Sequence, residues 1–564
     1  MALPIRIGEE SFPDIREKNS LYVDKTSFLL ELLSPSQSKV SLITRPRRFG
    51  KSLTLSMVET FLDIRRESGA LFAGLKVSEN KDFCSVWMNK YPVLSVSFKG
   101  VESKEYVQAR NEILEIIIGL FSSHSYLRGN KKVGFAEQRA IEAILSGTDD
   151  DAILKRSLYY LVCALHSYYG KKVVLLIDEY DVPYANAEDK EHCAKTGSLM
   201  RSLLGAALKG NTSLEFAILT GCMRLAKESC FTGLNSLDCF GIADVGFADC
   251  FGFTESEVRE LLEELTLPQK MDDIRAWYDG YHFGNDTEIY CPWDVLQYLK
   301  ALAQNPTQKP KRYWENTSSN DIVRIFLSKS TFSVREKFEK LLDGGCIGVR
   351  INENLTYDSL YDSEENLWTV LYLTGYLTKA SNLQKEKCGY IDNDEYTCLI
   401  IPNREIRDIY TYSIRSWFKD TIKERKRDAL FRAMWAADEK EVTRQLASIL
   451  LDTISYYDYH ENFYHGFTLG TFSGEEFPVK SNQESGYGRP DIIVRDPENA
   501  RTAIIELKQV DAQKRMEKAA REALRQSMDK DYGAPFRRAG ETVLHWGIAF
   551  CGKACLARAA VDQT

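Results

Sequence analysis

The chain has 564 residues, 44% of them hydrophobic and 27% charged, with a formal net charge of −8. That length exceeds what one hydrophobic core organises, which sets an expectation of about three domains in an ordinary soluble protein. The acidic balance excludes a surface coated in basic charge, so any nucleic-acid contact has to be made in a local groove.

The opening residues, MALPIRIGEESF, show no basic stretch followed by an apolar segment and a cleavage site, and no apolar run approaches membrane-spanning length. A cytoplasmic protein with no membrane partner is expected. The 13 cysteines are scattered, Cys551 and Cys555 coming nearest to metal-ligand spacing, and they read as buried reduced thiols. HENFYH, from His460 to His465, misses the zinc-protease spacing by one residue. On a helix, residues five apart point roughly 140° from each other, so zinc is not expected.

Along the chain, Lys39 to Thr44 (KVSLIT) reads as a buried strand, and Leu53, Met57, Thr60, Phe61 and Ile64 recur at helical spacing. Between them, RPRRFGKS has the form of a phosphate-binding loop with Arg45 where the motif's first glycine would stand. In such a cradle Gly50 opens the helix, Lys51 reaches the outer phosphates and Ser52 helps hold Mg²⁺. The alternative is that Gly-Lys-Ser only starts a helix.

A second apolar strand, Lys171 to Tyr184 (KKVVLLIDEYDVPY), runs into Asp178 and Glu179. One acid there would help hold Mg²⁺ and the next polarise attacking water. The two motifs together predict a nucleotide site. A third strand, Leu214 to Gly221, ends in Thr220, with Arg224 and Lys227 beyond it. These could act as a polar sensor and positive charge near a γ-phosphate, or Arg224 and Lys227 could form one solvated helix face.

WYDGYHFG (Trp277 to Gly284) and YWENTSSND are dense in aromatics, Asn and Gly and read as packed turns. Asn366 to Thr378 reads as a helix followed by a two-stranded wing ending in YTCLIIPNREIR, whose tip carries mixed charge. A winged-helix module able to contact DNA would fit there. Turn signals between about 400 and 450 predict a helical connector.

Near the C-terminus, PDIIVRD (Pro490 to Asp496) and TAIIELK (Thr502 to Lys508) are strands separated by PENA. A turn centred on Glu498 and Asn499 sets Asp491 opposite Glu506, with Cβ atoms about 5 Å apart, and alternation puts Lys508 on the same face. Two carboxylates so placed repel unless a divalent cation lies between them, and a nearby lysine can position water. This is chemistry suited to phosphodiester hydrolysis. An amphipathic strand with Glu506 and Lys508 facing solvent is the alternative.

YVDKT (Tyr22 to Thr26), TRPRRFGKSL, YPVLSVSFK (Tyr91 to Lys99), LIDEYDVP, LTGCMRLAKES with GLNSLD, WYDGYHFG, YCPWDVLQYL and YWENTSSND occur in that order. Over nearly its whole length the chain thereby resembles the bacterial AAA-ATPase-like family with a C-terminal PD-(D/E)XK nuclease-superfamily domain. That family usually begins its loop with arginine. The resemblance implies that Arg45, Arg47 and Arg48 crowd the phosphates with charge or pair with acids of another subunit, making a homo-oligomer one expected arrangement. It also implies Glu461 as an extra metal ligand. Gln526 and Tyr532 would lie on a helix packed over the nuclease site, where Lys514, Arg515, Lys518, Arg521 and Arg525 could follow a phosphate backbone or, since that face also carries acids, form a solvated helix surface.

The expected fold class is α/β: an AAA-like P-loop ATPase domain over 1–260, a helical and winged connector over 261–440, and a restriction-endonuclease-like domain over 441–564. The expected function is Mg²⁺-dependent cleavage of nucleic acid, DNA in the first place, controlled by ATP, with defence against phages or mobile elements as its setting. The alternative is an ATP-driven regulatory or interaction protein whose nuclease fold binds nucleic acid without cleaving it.

Overall fold

The computed structural model describes residues 4–185, 190–224, 234, 236–285, 287–314, 332–352, 355, 363–390, 395–411, 424–453, 461–472, 477–481, 488–552 and 554–562. The chain divides into two compact units, Met1–Tyr313 with Gly348–Arg404, and Trp314–Ile347 with Glu405–Thr564.

The first unit is built on a five-stranded sheet of β1 (Val40–Thr44), β2 (Val93–Ser97), β3 (Val173–Asp178), β4 (Leu214–Gly221) and β5 (Leu237–Phe240). Its order is β2-β3-β4-β1-β5, and every neighbouring pair is parallel. A parallel sheet is covered on both faces, which is why β1 and β3 are buried at every position rather than at alternate ones. Ile113, Ile117, Leu161, Leu165, Leu203 and Leu204, from helices Tyr106–Ser123, Ser157–Tyr169 and Lys190–Leu208, belong to its core. In open sheets of this kind, ligands gather at the carboxyl ends of the strands.

The turn-rich WYDGYHFG segment packs, as its composition suggests. Tyr278, Tyr281, His282 and Phe283 are buried, and β6 (Tyr281–Phe283) pairs antiparallel with β7 (Thr287–Ile289). Gly280 has φ +98°, and a Cβ there would meet the Pro402 carbonyl oxygen at 1.9 Å, so no other residue fits. Most of YWENTSSND lies outside the described residues.

The helix expected over 366–378 runs instead from Glu364 to Leu373, because Gly375 turns the chain at φ +87°. Strand β8 (Ile347–Val349) joins β9 (Thr378–Lys379) and β10 (Thr397–Ile400) in the order β8-β10-β9. The β9–β10 pair is antiparallel, and its connection carries the short helix Asn382–Lys387.

In the second unit the sheet is mixed, with β11 (Val479–Ser481), β12 (Ile492–Asp496), β13 (Arg501–Gln509), β14 (Thr542–Cys551) and β15 (Ala554–Val561) in sequential order. Only β13 and β14 are parallel, joined by a crossover through helix Met516–Asp529. That helix buries Ala519, Ala520 and Ala523, whose small side chains let it lie close to the sheet. Gly547 completes the fit, since a Cβ there would stand 2.1 Å from the Ala520 carbonyl oxygen. Among the described residues no helix is long and apolar enough to cross a membrane.

Candidate functional site

In the first unit, β1, β3 and β4 end side by side. Asp178, the last residue of β3, accepts hydrogen bonds from Ser52 Oγ at 2.6 Å and Thr220 Oγ1 at 2.5 Å, so residues from three separate motifs converge on one carboxylate. The sequence had no means of ordering the strands; insertion of β4 between β1 and β3 is what brings Thr220 there. The hydroxyl of Ser52 against a carboxylate is a donor set that fits a divalent cation.

Gly50 precedes helix Lys51–Leu62 at φ +85°, with nothing within 4 Å of an added Cβ. Lys51 is buried, and its ammonium donates to the carbonyl oxygens of Arg45 and Pro46, both at 3.1 Å, and lies 3.7 Å from Cys222 Sγ. Burial opposes its charge, but Cys222, Glu179, Asp181 and Asp178 outweigh burial and hold the lysine pKa above its ordinary value. Glu179 occupies the left-handed region at φ +51°, a strained conformation for a residue with a side chain. Burial, countered by Lys51, raises its carboxyl pKa.

The arginines diverge. Arg45 does not enter the cradle: it is fully buried, and Nη1 donates to the carbonyls of Thr44, Phe240 and Gly241 at 2.8 Å while Nη2 donates to Phe247 at 2.9 Å. Its Cζ lies 5.3 Å from the Phe251 ring centroid and 5.4 Å from that of Phe283. Burial lowers its pKa to about 10, and Cys250, Asp244 and Glu31 support the charge. Arg45 is therefore a structural clamp where the sequence suggested a phosphate ligand. Arg48 turns toward Trp293, its Cζ 4.8 Å from the ring centroid. Arg47 is exposed, and its charge acts on Glu179. Arg224 is half-buried just beyond β4, and Lys227 lies outside the described residues.

Arg45→Ala is expected to destabilise the first unit by about 3 kcal/mol or more, because several buried carbonyls lose their donor at about 1–3 kcal/mol each. Arg45→Lys should recover little, since one ammonium cannot reproduce the guanidinium fork. Scanning calorimetry of the purified variants checks both.

Sequence reasoning missed two residues here. Asp181 is buried and its Oδ2 accepts from the backbone N–H groups of Cys222 and Met223 at 2.8 and 3.0 Å, holding the segment after Thr220 in place. The repeated acids of Asp178-Glu179-Tyr180-Asp181 were its available signal. Cys222 gave none.

In the second unit the hairpin has the register its turn predicts: Ile492 pairs with Ile505 and Asp496 with Arg501, and Asp491 stands one residue before this ladder, where the same register would set it opposite Glu506. Asp491 Oδ2 accepts from Leu507 N at 2.8 Å, and Glu506 Oε2 accepts from Gln526 Nε2 at 2.9 Å. Glu506 is 2% exposed, and its Oε1 is buried with no hydrogen-bond partner among the described residues. Burial, then the charge of Asp491, pushes its pKa up to about 8, with half-buried Lys508 opposing. A buried, unsatisfied carboxylate oxygen beside a second carboxylate fits a divalent cation.

His465, on helix Glu461–Phe472, lies with Nε2 at 3.1 Å from both the Asp491 carbonyl oxygen and Ser481 Oγ, and so fixes the backbone of Asp491. Glu461 begins that helix, but its side chain lies outside the described residues; among those described, no group of three metal-ligating side chains occurs. Tyr532 is buried, and its pKa is raised by burial and then by Glu506. Next to Gln526, Ser527 hydrogen-bonds His545 Nδ1, and His545 Nε2 is 3.1 Å from Asp562 Oδ2, so a buried polar chain ties the helix to the sheet. On the outer helix surface Arg521 pairs with Glu517 at 2.6 Å and Lys518 with Glu522 at 3.8 Å, which reduces its positive charge.

Residues 6–231 match the family model described as predicted AAA-ATPase, and residues 459–559 match that of the PD-(D/E)XK nuclease superfamily. The chain thus joins an AAA-ATPase-like domain to a C-terminal nuclease-superfamily domain. It is also similar to the uncharacterized protein in vnfD 5'region of Azotobacter chroococcum mcd 1, with 25% identity over 556 residues, 96% of each chain.

Proposed function

We propose that the protein is an ATP-binding and ATP-hydrolysing enzyme whose second active site cleaves nucleic acid, DNA in the first place, with Mg²⁺. The observation that carries the nuclease half is the Asp491–Glu506 pair, one of whose buried oxygens, Glu506 Oε1, has no hydrogen-bond partner among the described residues. Asp491 and Glu506 hold the cation, Gln526 orients Glu506 through Oε2, and Lys508 orients the attacking water. When bound, the cation supplies positive charge at the phosphate and lowers the pKa of water. Glu461 is proposed as a further ligand.

In the first unit, Gly50 and Lys51 cradle the phosphates, Ser52 and Asp178 hold Mg²⁺, Glu179 polarises water, and Thr220 and Arg224 sense the terminal phosphate. Arg47 and Arg48 belong to the rim of that site. The functions divide along the chain as 1–260, 261–440 and 441–564, the middle part contacting DNA through its wing. A cytoplasmic enzyme acting against phages or mobile elements, assembled from copies of itself, suits this pairing.

The test is a cleavage panel of plasmid, linear and single-stranded DNA and RNA, with Mg²⁺ or Mn²⁺, with and without ATP. Cleavage of RNA alone would redirect the substrate. Binding without cleavage would favour a regulatory protein.

Two further outcomes are expected. Glu179→Gln should bind ATP normally yet hydrolyse it roughly 10²-fold more slowly, since polarisation of the attacking water is lost; normal turnover in a phosphate-release assay would reassign the acid. The second concerns pH. Glu506 keeps its proton to about pH 8 in the folded chain, whereas its ordinary pKa is 4.5. The folded state therefore binds the extra proton between these values, and metal-free stability falls as pH rises through that window. Mg²⁺ should restore stability at pH 8, and Glu506→Gln should flatten the dependence, measured as denaturation midpoints in EDTA and in Mg²⁺.

A further inference from the structure

One motif of the first unit, YPVLSVSFK, has no role in the site as described so far. Its strand, β2, borders β3 on the side away from β4, with Ser97 paired to Asp178. The Phe98 N–H then donates to the Asp178 carbonyl oxygen at 3.0 Å, so Lys99 follows directly beside the Asp178–Glu179 step. Its ammonium is 2.6 Å from Glu10 Oε1, and both side chains are more than half exposed. Glu10 is kept there by an anchored segment: two residues on, the Phe12 N–H donates to Ser56 Oγ of the phosphate-loop helix, and the Phe12 ring is fully buried. The Lys99 pKa is raised first by Glu10, against burial, and then by Glu179 and Asp178, which means the ammonium lies in the field of both acids.

We propose that Lys99 is a further cation of the nucleotide site that selects ATP over ADP by pairing with the terminal phosphate, and that Glu10 holds it in reserve until nucleotide binds. The inference rests on the ATP reading of this unit. Lys51 is enclosed beneath the loop by the carbonyls of Arg45 and Pro46, whereas Lys99 stands in solvent on the opposite flank of Asp178. An exposed ion pair is weak, so exchange of the Glu10 carboxylate for a phosphate bearing more charge is favourable. Release of Glu10 would also report nucleotide binding to the N-terminal segment.

The experiment is calorimetric titration of the full chain, wild type and variants, with ATP and with ADP in Mg²⁺. Lys99→Ala should weaken ATP about tenfold and ADP much less, with Lys99→Arg restoring most of the difference. Glu10→Gln should tighten ATP by up to about fivefold, because Lys99 no longer has to be withdrawn from its partner. The two members of the pair thus act in opposite directions, which a merely structural ion pair would not do. Equal losses for ATP and ADP in Lys99→Ala, or weaker ATP binding in Glu10→Gln, would overturn the proposal. A wild type that binds neither nucleotide would instead overturn the ATP reading itself. Both positions are exposed, and unchanged melting temperatures would verify that the variants fold.

Discussion

Replacing Glu506 by alanine is expected to lower phosphodiester cleavage by roughly 10⁴-fold, and Asp491→Ala should do the same, because two carboxylates holding one cation, as proposed, would act as a unit. The double variant should then be little worse than either single one. Lys508→Ala should keep metal-dependent stabilisation while losing rate, since the role proposed for it is at the water and not at the cation. In all three, ATP hydrolysis without nucleic acid should be nearly unchanged, as the hairpin belongs to a different compact unit from the phosphate loop. Gel assays of cleavage beside phosphate-release assays separate the two activities. Cleavage persisting in Glu506→Ala would assign it elsewhere or to a contaminant, and a wild type inactive on every substrate and metal would support binding without turnover.

Lys51→Ala should weaken ATP binding more than tenfold, the loss of a charge-assisted contact worth about 1.5–3 kcal/mol. The ammonium is held by the carbonyl oxygens of Arg45 and Pro46 at 3.1 Å, with the charges of Glu179, Asp181 and Asp178 favouring its protonated form. A phosphate bound there as proposed would meet a preorganised cation, and little ordering would remain to be done on binding. Unchanged affinity in calorimetry would remove the phosphate-loop reading.

What could be read from the sequence was what short stretches determine. Strand β4 spans Leu214 to Gly221, the segment its apolar run marks out, and the hairpin register followed from a turn too short to permit slippage. Helix 366–378 was overextended because an apolar run hides the stop that Gly375 imposes. Strand order, the direction taken by each arginine, and the service of Asp181 to the backbone after β4 depend on residues far away in sequence. Arg45 shows the limit most clearly: apart from the Thr44 carbonyl beside it, its partners are carbonyls 195 to 202 positions along the chain, and carbonyls leave no mark in a sequence.

The same clamp restricts how far the loop can be treated as a portable part. An ordinary glycine-led phosphate loop keeps its shape mainly through its own backbone, and a strand-loop-helix cassette can in principle be lifted into another sheet. Here the first loop residue takes its conformation from the Phe240–Phe247 segment and from the rings of Phe251 and Phe283. A graft of residues 40–62 alone would carry a buried guanidinium into a host with nothing to receive it. Conversely, restoring the textual motif by Arg45→Gly would make the sequence more familiar and the protein less sound.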